Sequence, residues 1–81
     1  MVYIIYNSIT HAGRIRRVFE GHPRVALLHA PSGLMMNNCA YALRVPKEMV
    51  DIIYRKSTEF GITIRGAFEE LPEGGYHDIS R

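Results

Sequence analysis

Apolar runs and chain breakers alternate along this sequence in an order that leaves few ways to fold it. Val2-Tyr3-Ile4-Ile5-Tyr6 is almost continuously apolar and aromatic, which suits a central strand buried on both faces. Ala12, Ile15, Val18 and Phe19 then recur at helical spacing, with Arg14, Arg16 and Arg17 mostly on the outside. Ser8 and Thr10 are both suitable N-caps for that helix. Gly21 stops it and Pro23 prevents its resumption. Arg24 to Ala30 reads as a second strand, centred on Val25-Ala26-Leu27-Leu28. A loop from Pro31 to Asn38, carrying Met35 and Met36, leads into a third strand, Cys39 to Val45. Val45-Pro46 marks the next helix start, because proline suits a first helical turn. Met49, Ile52, Ile53 and Phe60 form its apolar stripe, with the alkyl stem of Lys56 laid along it, and Gly61 ends it. Ile62 to Phe68 alternates as a fourth strand.

The resulting order, β-α-β-β-α-β, is the signature of a ferredoxin-like α/β (α+β) domain. Such a domain is a four-stranded antiparallel sheet with two helices on one face. Residues 1–71 make up this single domain, and residues 72–81, rich in turn formers, are expected to be a flexible tail. In this topology the third strand inserts antiparallel between the first two. The end of the first strand and the beginning of the third therefore share one edge of the sheet. Cys39 is expected there, near Asn7, Ser8, Thr10 and His11 at the start of the first helix.

Composition narrows the function classes. A chain of 81 residues, 47% hydrophobic, is large enough for one small core. Its net charge of +2 is far below the footprint of a dedicated nucleic-acid binder. A single cysteine forbids an internal disulfide and argues against a zinc site built on thiolates. No apolar run approaches a membrane span, and the first residues lack the basic leader of a signal peptide. The expected compartment is the cytoplasm.

Cys39, Tyr41, Leu43 and Val45 share one face of the third strand, and their bulk points them at the helices. A thiol under a helix N-terminus meets unpaired N–H groups and the positive end of the helix dipole, both of which stabilise the thiolate. A protonated His11 would add to that effect. The plain alternative is that Cys39 is a small buried hydrophobe, with Thr10 and His11 as ordinary first-turn residues. Asn7, Asn37 and Asn38 are turn formers whose amides could also hold an anionic cargo. A set of His11, His29 and Cys39 has no diagnostic metal-ligand spacing, and no metal site is assigned.

These residues also carry a resemblance. Asn7-Ser8-Ile9-Thr10-His11-Ala12 resembles the S-T-x-H-A opening of the selenium/sulfur carrier-like family. Ala30-Pro31, a polar loop and then Cys39-Ala40-Tyr41-Ala42-Leu43-Arg44-Val45 resembles its P-R-x-x-S-x-x-C-G-x-A-L-R-F core. The likeness covers roughly residues 3 to 70. Ser32 stands where the family has arginine, and Ala40 where it has glycine. The resemblance implies a carrier whose Cys39 thiolate accepts sulfane sulfur or selenium as a persulfide-type adduct. Ser8, Thr10 and His11 would tune that thiolate, and donor and acceptor proteins would be its partners. No cofactor beyond the covalent cargo is implied.

A non-enzymatic, dimeric interaction or regulatory module is the other expectation. A sheet with helices on one side leaves a face open, here expected to carry Ala40, Ala42, Arg44, Thr63, Arg65 and Ala67. Small residues with a few arginines suit a homodimer by sheet-on-sheet contact. RNA ranks lower, because the third strand's outer face lacks stacking aromatics. Either way the chain reads as a carrier or binding protein rather than a turnover enzyme.

Overall fold

Pairing on both edges and packing on both faces explain why the run Val2–Tyr6 has no exposed residue. The computed structural model of the protein describes residues 1–34 and 41–81. Its elements are β1 (Val2–Tyr6), α1 (Ile9–Val18), β2 (Ala26–His29), β3 (Tyr41–Val45), α2 (Val50–Glu59), β4 (Ile64–Glu70) and β5 (Tyr76–Asp78). Single turns of 3-10 helix occupy Ser32–Leu34 and Lys47–Met49. The fold is α+β: the five strands form one sheet in the order β2-β3-β1-β4-β5, and every adjacent pair is antiparallel. No helix among the described residues is long and apolar enough to cross a membrane.

The alternation of β1 divides the core. Val2, Ile4 and Tyr6 pack with Ala12 and Ile15 of α1, Val50 and Ile53 of α2, and Leu43 and Val45 of β3. Tyr3 and Ile5 belong to a second cluster with Ala30, Leu34 and Ala42, edged by Leu28, Phe68 and Tyr76. Tyr41, Leu43 and Val45 share the helix side, as their bulk predicts. Gly21 and Gly61 follow the helices with φ of 88° and 67°, left-handed values that favour glycine.

The helical stripes differ in detail from expectation. Val18 is exposed, because it falls outside the sector spanned by Ala12, Ile15 and Phe19. α2 buries Val50, Ile53 and Ser57, whereas Phe60 lies past the end of the helix, where its period no longer applies.

The sheet departs from the expected four strands by gaining β5 from the segment read as a tail. Gly74 and Gly75, with φ of 94° and 79°, turn the chain back, and Leu71 N–H donates to the Gly75 carbonyl at 3.1 Å. Phe68, Glu69 and Glu70 then pair with Asp78, His77 and Tyr76. A strand of three residues is too short to show a period. Beyond β5 the chain continues along β4: Ile79 N–H donates to the Ala67 carbonyl at 2.8 Å, and Ser80 Oγ accepts from Ala67 N–H at 2.9 Å. Arg81 then pairs with Asp51 and lies 5.2 Å from the Tyr54 ring centroid, which ties the end of the sheet to α2.

The expected open face is also corrected. Ile5 pairs with Gly66 but Tyr6 with Ile64, so Arg65 is an extra residue in β4. That bulge reverses the parity beyond it, and Ala67 packs in the helix-side core. Ala42 lies on the second face as expected but is fully buried there. Arg44 is on that face too, donating to Tyr3 Oη at 3.2 Å and to Glu70 Oε1 at 3.3 Å. The partly buried hydrophobic side chains on this face are therefore Leu28, Phe68 and Tyr76 rather than small residues. Ala40 lies outside the described residues.

Gly66 shows how closely this face is filled. A Cβ there would come within 2.9 Å of Phe68 Cε2 and 3.1 Å of Ser80 Oγ. Gly66→Ala is expected to lower stability by about 1–3 kcal/mol, because the Phe68 ring must shift to admit the methyl group. Thermal melts of the two proteins test this, and equal midpoints would refute it.

Candidate functional site at one edge of the sheet

The register collects four chain segments at one edge. Tyr6, the last residue of β1, sits opposite Tyr41 at the start of β3 and Ile64 at the start of β4. His29, the last residue of β2, also sits opposite Tyr41. Their rings lie 4.6 Å apart between centroids and are tilted by 36°.

α1 begins immediately after Tyr6 and exposed Asn7. Ser8 is extended, with φ −146° and ψ 156°, and its Oγ accepts from the His11 backbone N–H at 3.2 Å. The Ser8 carbonyl accepts from Ala12 N–H at 3.1 Å. Ser8 is therefore the N-cap, and Thr10 sits inside the first turn. The preference is physical: an extended residue one step before the helix presents its hydroxyl to the unpaired N–H groups. The first turn contains no acidic residue. An anion near it would meet no competing carboxylate on α1.

Of the residues singled out from sequence, Ser8 lies at this edge and caps the helix. Thr10 and His11 are exposed on the first turn, and the hydrogen bond of His11 to Ser8 runs through its backbone. Cys39 lies outside the described residues, as do Met35, Met36, Asn37 and Asn38. Tyr41, two residues after Cys39, is the first described residue of β3. Among the described residues, no group of three or more His, Cys, Asp or Glu side chains is placed to hold a metal ion.

One buried polar pair at this edge has no counterpart in the sequence reading. Tyr6 Oη and Ser57 Oγ are 2.8 Å apart, and both side chains are buried. Burial pushes the Tyr6 hydroxyl up to about 12, while the Ser57 hydrogen bond offsets part of that rise. A signal was available: a tyrosine in a fully buried strand needs a partner for its hydroxyl. Ser57 stands seven residues after Val50, on the buried side of α2. Beside the pair, Tyr54, Thr58, Ile62 and Arg81 line a groove of about 420 Å³ to which Ser57 also contributes.

No family model, no curated protein and no solved structure matches this chain.

Proposed function

We propose that this chain is a thiol carrier that takes up sulfane sulfur or selenium on Cys39 and hands it on. The observation that supports the reading is the register of Tyr6 with Tyr41. It sets Tyr41, the start of β3, beside the end of β1, from which the chain runs through Asn7 into the Ser8-capped helix. The first-turn N–H groups of α1 and its lack of acidic residues favour a negative charge at that edge. The likeness of both motifs to the carrier-like family supports the same reading. The order β2-β3-β1-β4 with two helices is, in our reading, a ferredoxin-like arrangement with β5 added at one edge.

The chemistry balances simply. The Cys39 thiolate attacks the terminal sulfur of a donor persulfide. A new S–S bond forms at Cys39 as the donor's S–S bond breaks, and the donor leaves as a thiolate. Attack by an acceptor thiolate reverses the step. Ser8, Thr10 and His11 are the residues proposed to set the thiolate's environment. Donor and acceptor are proteins bearing reactive thiols, and a cytoplasmic setting suits a lone reduced cysteine.

The test is the pH dependence of Cys39 alkylation by iodoacetamide in the folded protein. The expected apparent pKa lies below the free value of about 8.5, with rapid labelling. After incubation with a low-molecular-weight persulfide, intact mass should rise by one sulfur atom in the wild type and not in Cys39→Ser. Labelling that becomes fast only on unfolding, with no mass increase, would overturn the proposal.

A further inference from the structure

We infer that the outer face of α1 is a docking surface for an acidic, amphipathic segment of a partner protein. This goes beyond the carrier reading and does not depend on Cys39. α1 carries Arg14, Arg16 and Arg17 and no acidic residue. Arg16 and Arg17 are exposed and make no ion pair among the described residues. The Arg14 guanidinium is held 5.4 Å from the centroid of the Phe60 ring. Apolar surface is exposed at both ends of the helix: Ile9 is 53% exposed at its start and Val18 42% at its end, with Phe60, beside Arg14, at 39%.

Gly13 supplies a separate observation. A glycine inside a helix weakens it, so a mid-helix glycine calls for a reason. The described residues give none. The φ of Gly13 is not positive, and among the described residues a Cβ there would meet Leu27 Cδ2 at 4.0 Å, an ordinary contact. Gly13 sits in the floor of a cleft of about 350 Å³, lined by Ile9, Thr10, Gly13, Arg14 and Arg17. An apolar side chain seated on Ile9 and Gly13 would place neighbouring carboxylates beside Arg14 and Arg17.

Charge complementarity selects the occupant. A second copy has few carboxylates to offer, because Glu48, Asp51, Glu59, Glu69 and Glu70 already sit in ion pairs. RNA is disfavoured by the net charge of only +2. Exposed Ile9 in one cleft with Arg14 and Arg17 fits a peptide that is both acidic and apolar.

Amide chemical-shift mapping on the whole chain tests this with three probes. They are a helical peptide of glutamates with leucines at i, i+3, i+4 and i+7, an all-glutamate peptide of equal charge, and oligo-uridine. The Glu/Leu peptide is expected to shift the amides of Ile9, Thr10, Gly13, Arg14 and Arg17. It should bind about tenfold more tightly than the all-glutamate peptide, roughly the factor that one seated leucine supplies. Gly13→Ala should raise the melting temperature and yet remove that preference. Arg14→Ala with Arg17→Ala should weaken both peptides. Equal binding of the two peptides, stronger binding of oligo-uridine, shifts confined to other elements, or shifts driven by protein concentration alone would overturn the inference. So would an unchanged preference in Gly13→Ala.

Discussion

Ile4→Ala is expected to remove about 2–5 kcal/mol of stability, the cost of deleting a fully buried aliphatic side chain and leaving a cavity. Ile4 is completely buried, paired with Leu43 on one side and Ala67 on the other. Its side chain faces both helices in the larger cluster. A domain of 81 residues has a total stability of roughly 4–12 kcal/mol, so this single change consumes a large share of it. The site cannot collapse easily, because β1 is held on both edges by hydrogen-bonded neighbours. Ile9→Ala is the matched control, since Ile9 is largely exposed and should cost little. Urea denaturation of the three proteins measures the difference. A loss below 1 kcal/mol for Ile4→Ala would mean that β1 is not the centre of the core.

The second large effect concerns the Tyr6–Ser57 pair. Tyr6→Phe leaves the Ser57 hydroxyl buried without a partner, which costs about 1–3 kcal/mol, and Ser57→Ala does the same to Tyr6. The double variant should lose less than the sum, with a coupling of about 1–2 kcal/mol, because it strands neither group. The pair also makes a pH signature. The folded hydroxyl is raised from 10.0 to about 12, so the folded state holds its proton more tightly than the unfolded state. The stabilisation is fully present below pH 10 and is lost as pH rises toward 12, at about 1.4 kcal/mol per unit within that window. Other tyrosines and lysines titrate in the same range, so the measurement is the difference between wild type and Tyr6→Phe. Parallel stability curves for the two proteins above pH 10 would refute the assignment.

β1 was legible in the sequence to the residue, because a continuous apolar run bounded by Asn7 and Ser8 has one reading. The helix-side parity of Tyr41, Leu43 and Val45 was equally readable from bulk alone. The bulge at Arg65 was not, since nothing local distinguishes Ile64-Arg65-Gly66-Ala67 from regular alternation. It exists only relative to β1, and it moves Ala67 to the opposite face. β5 was hidden by its length, and its pairing depends on Gly74 and Gly75 turning the chain, a non-local consequence of a local signal. At the site, the Ser8 cap was one of two readings, and the phase of α1 decides between them. Ser57 was missed because a polar residue on a helix is read as solvated unless its partner, here 51 positions earlier, is known.

The place of β1 between β3 and β4 also bears on how the domain is made. β1 precedes both of its pairing partners along the chain, and β4 closes its second edge only after α2 is complete. Until Ile64 to Glu69 is synthesised, Val2 to Tyr6 presents an unpaired edge of aromatic and β-branched residues, the kind of template that other nascent chains can extend. Both pairings of β1 span distant parts of the sequence, so the sheet's centre cannot close until β4 has been made, and such non-local pairing is slow to form. A ribosome stalled before β4 would therefore release a sticky fragment rather than a smaller folded domain.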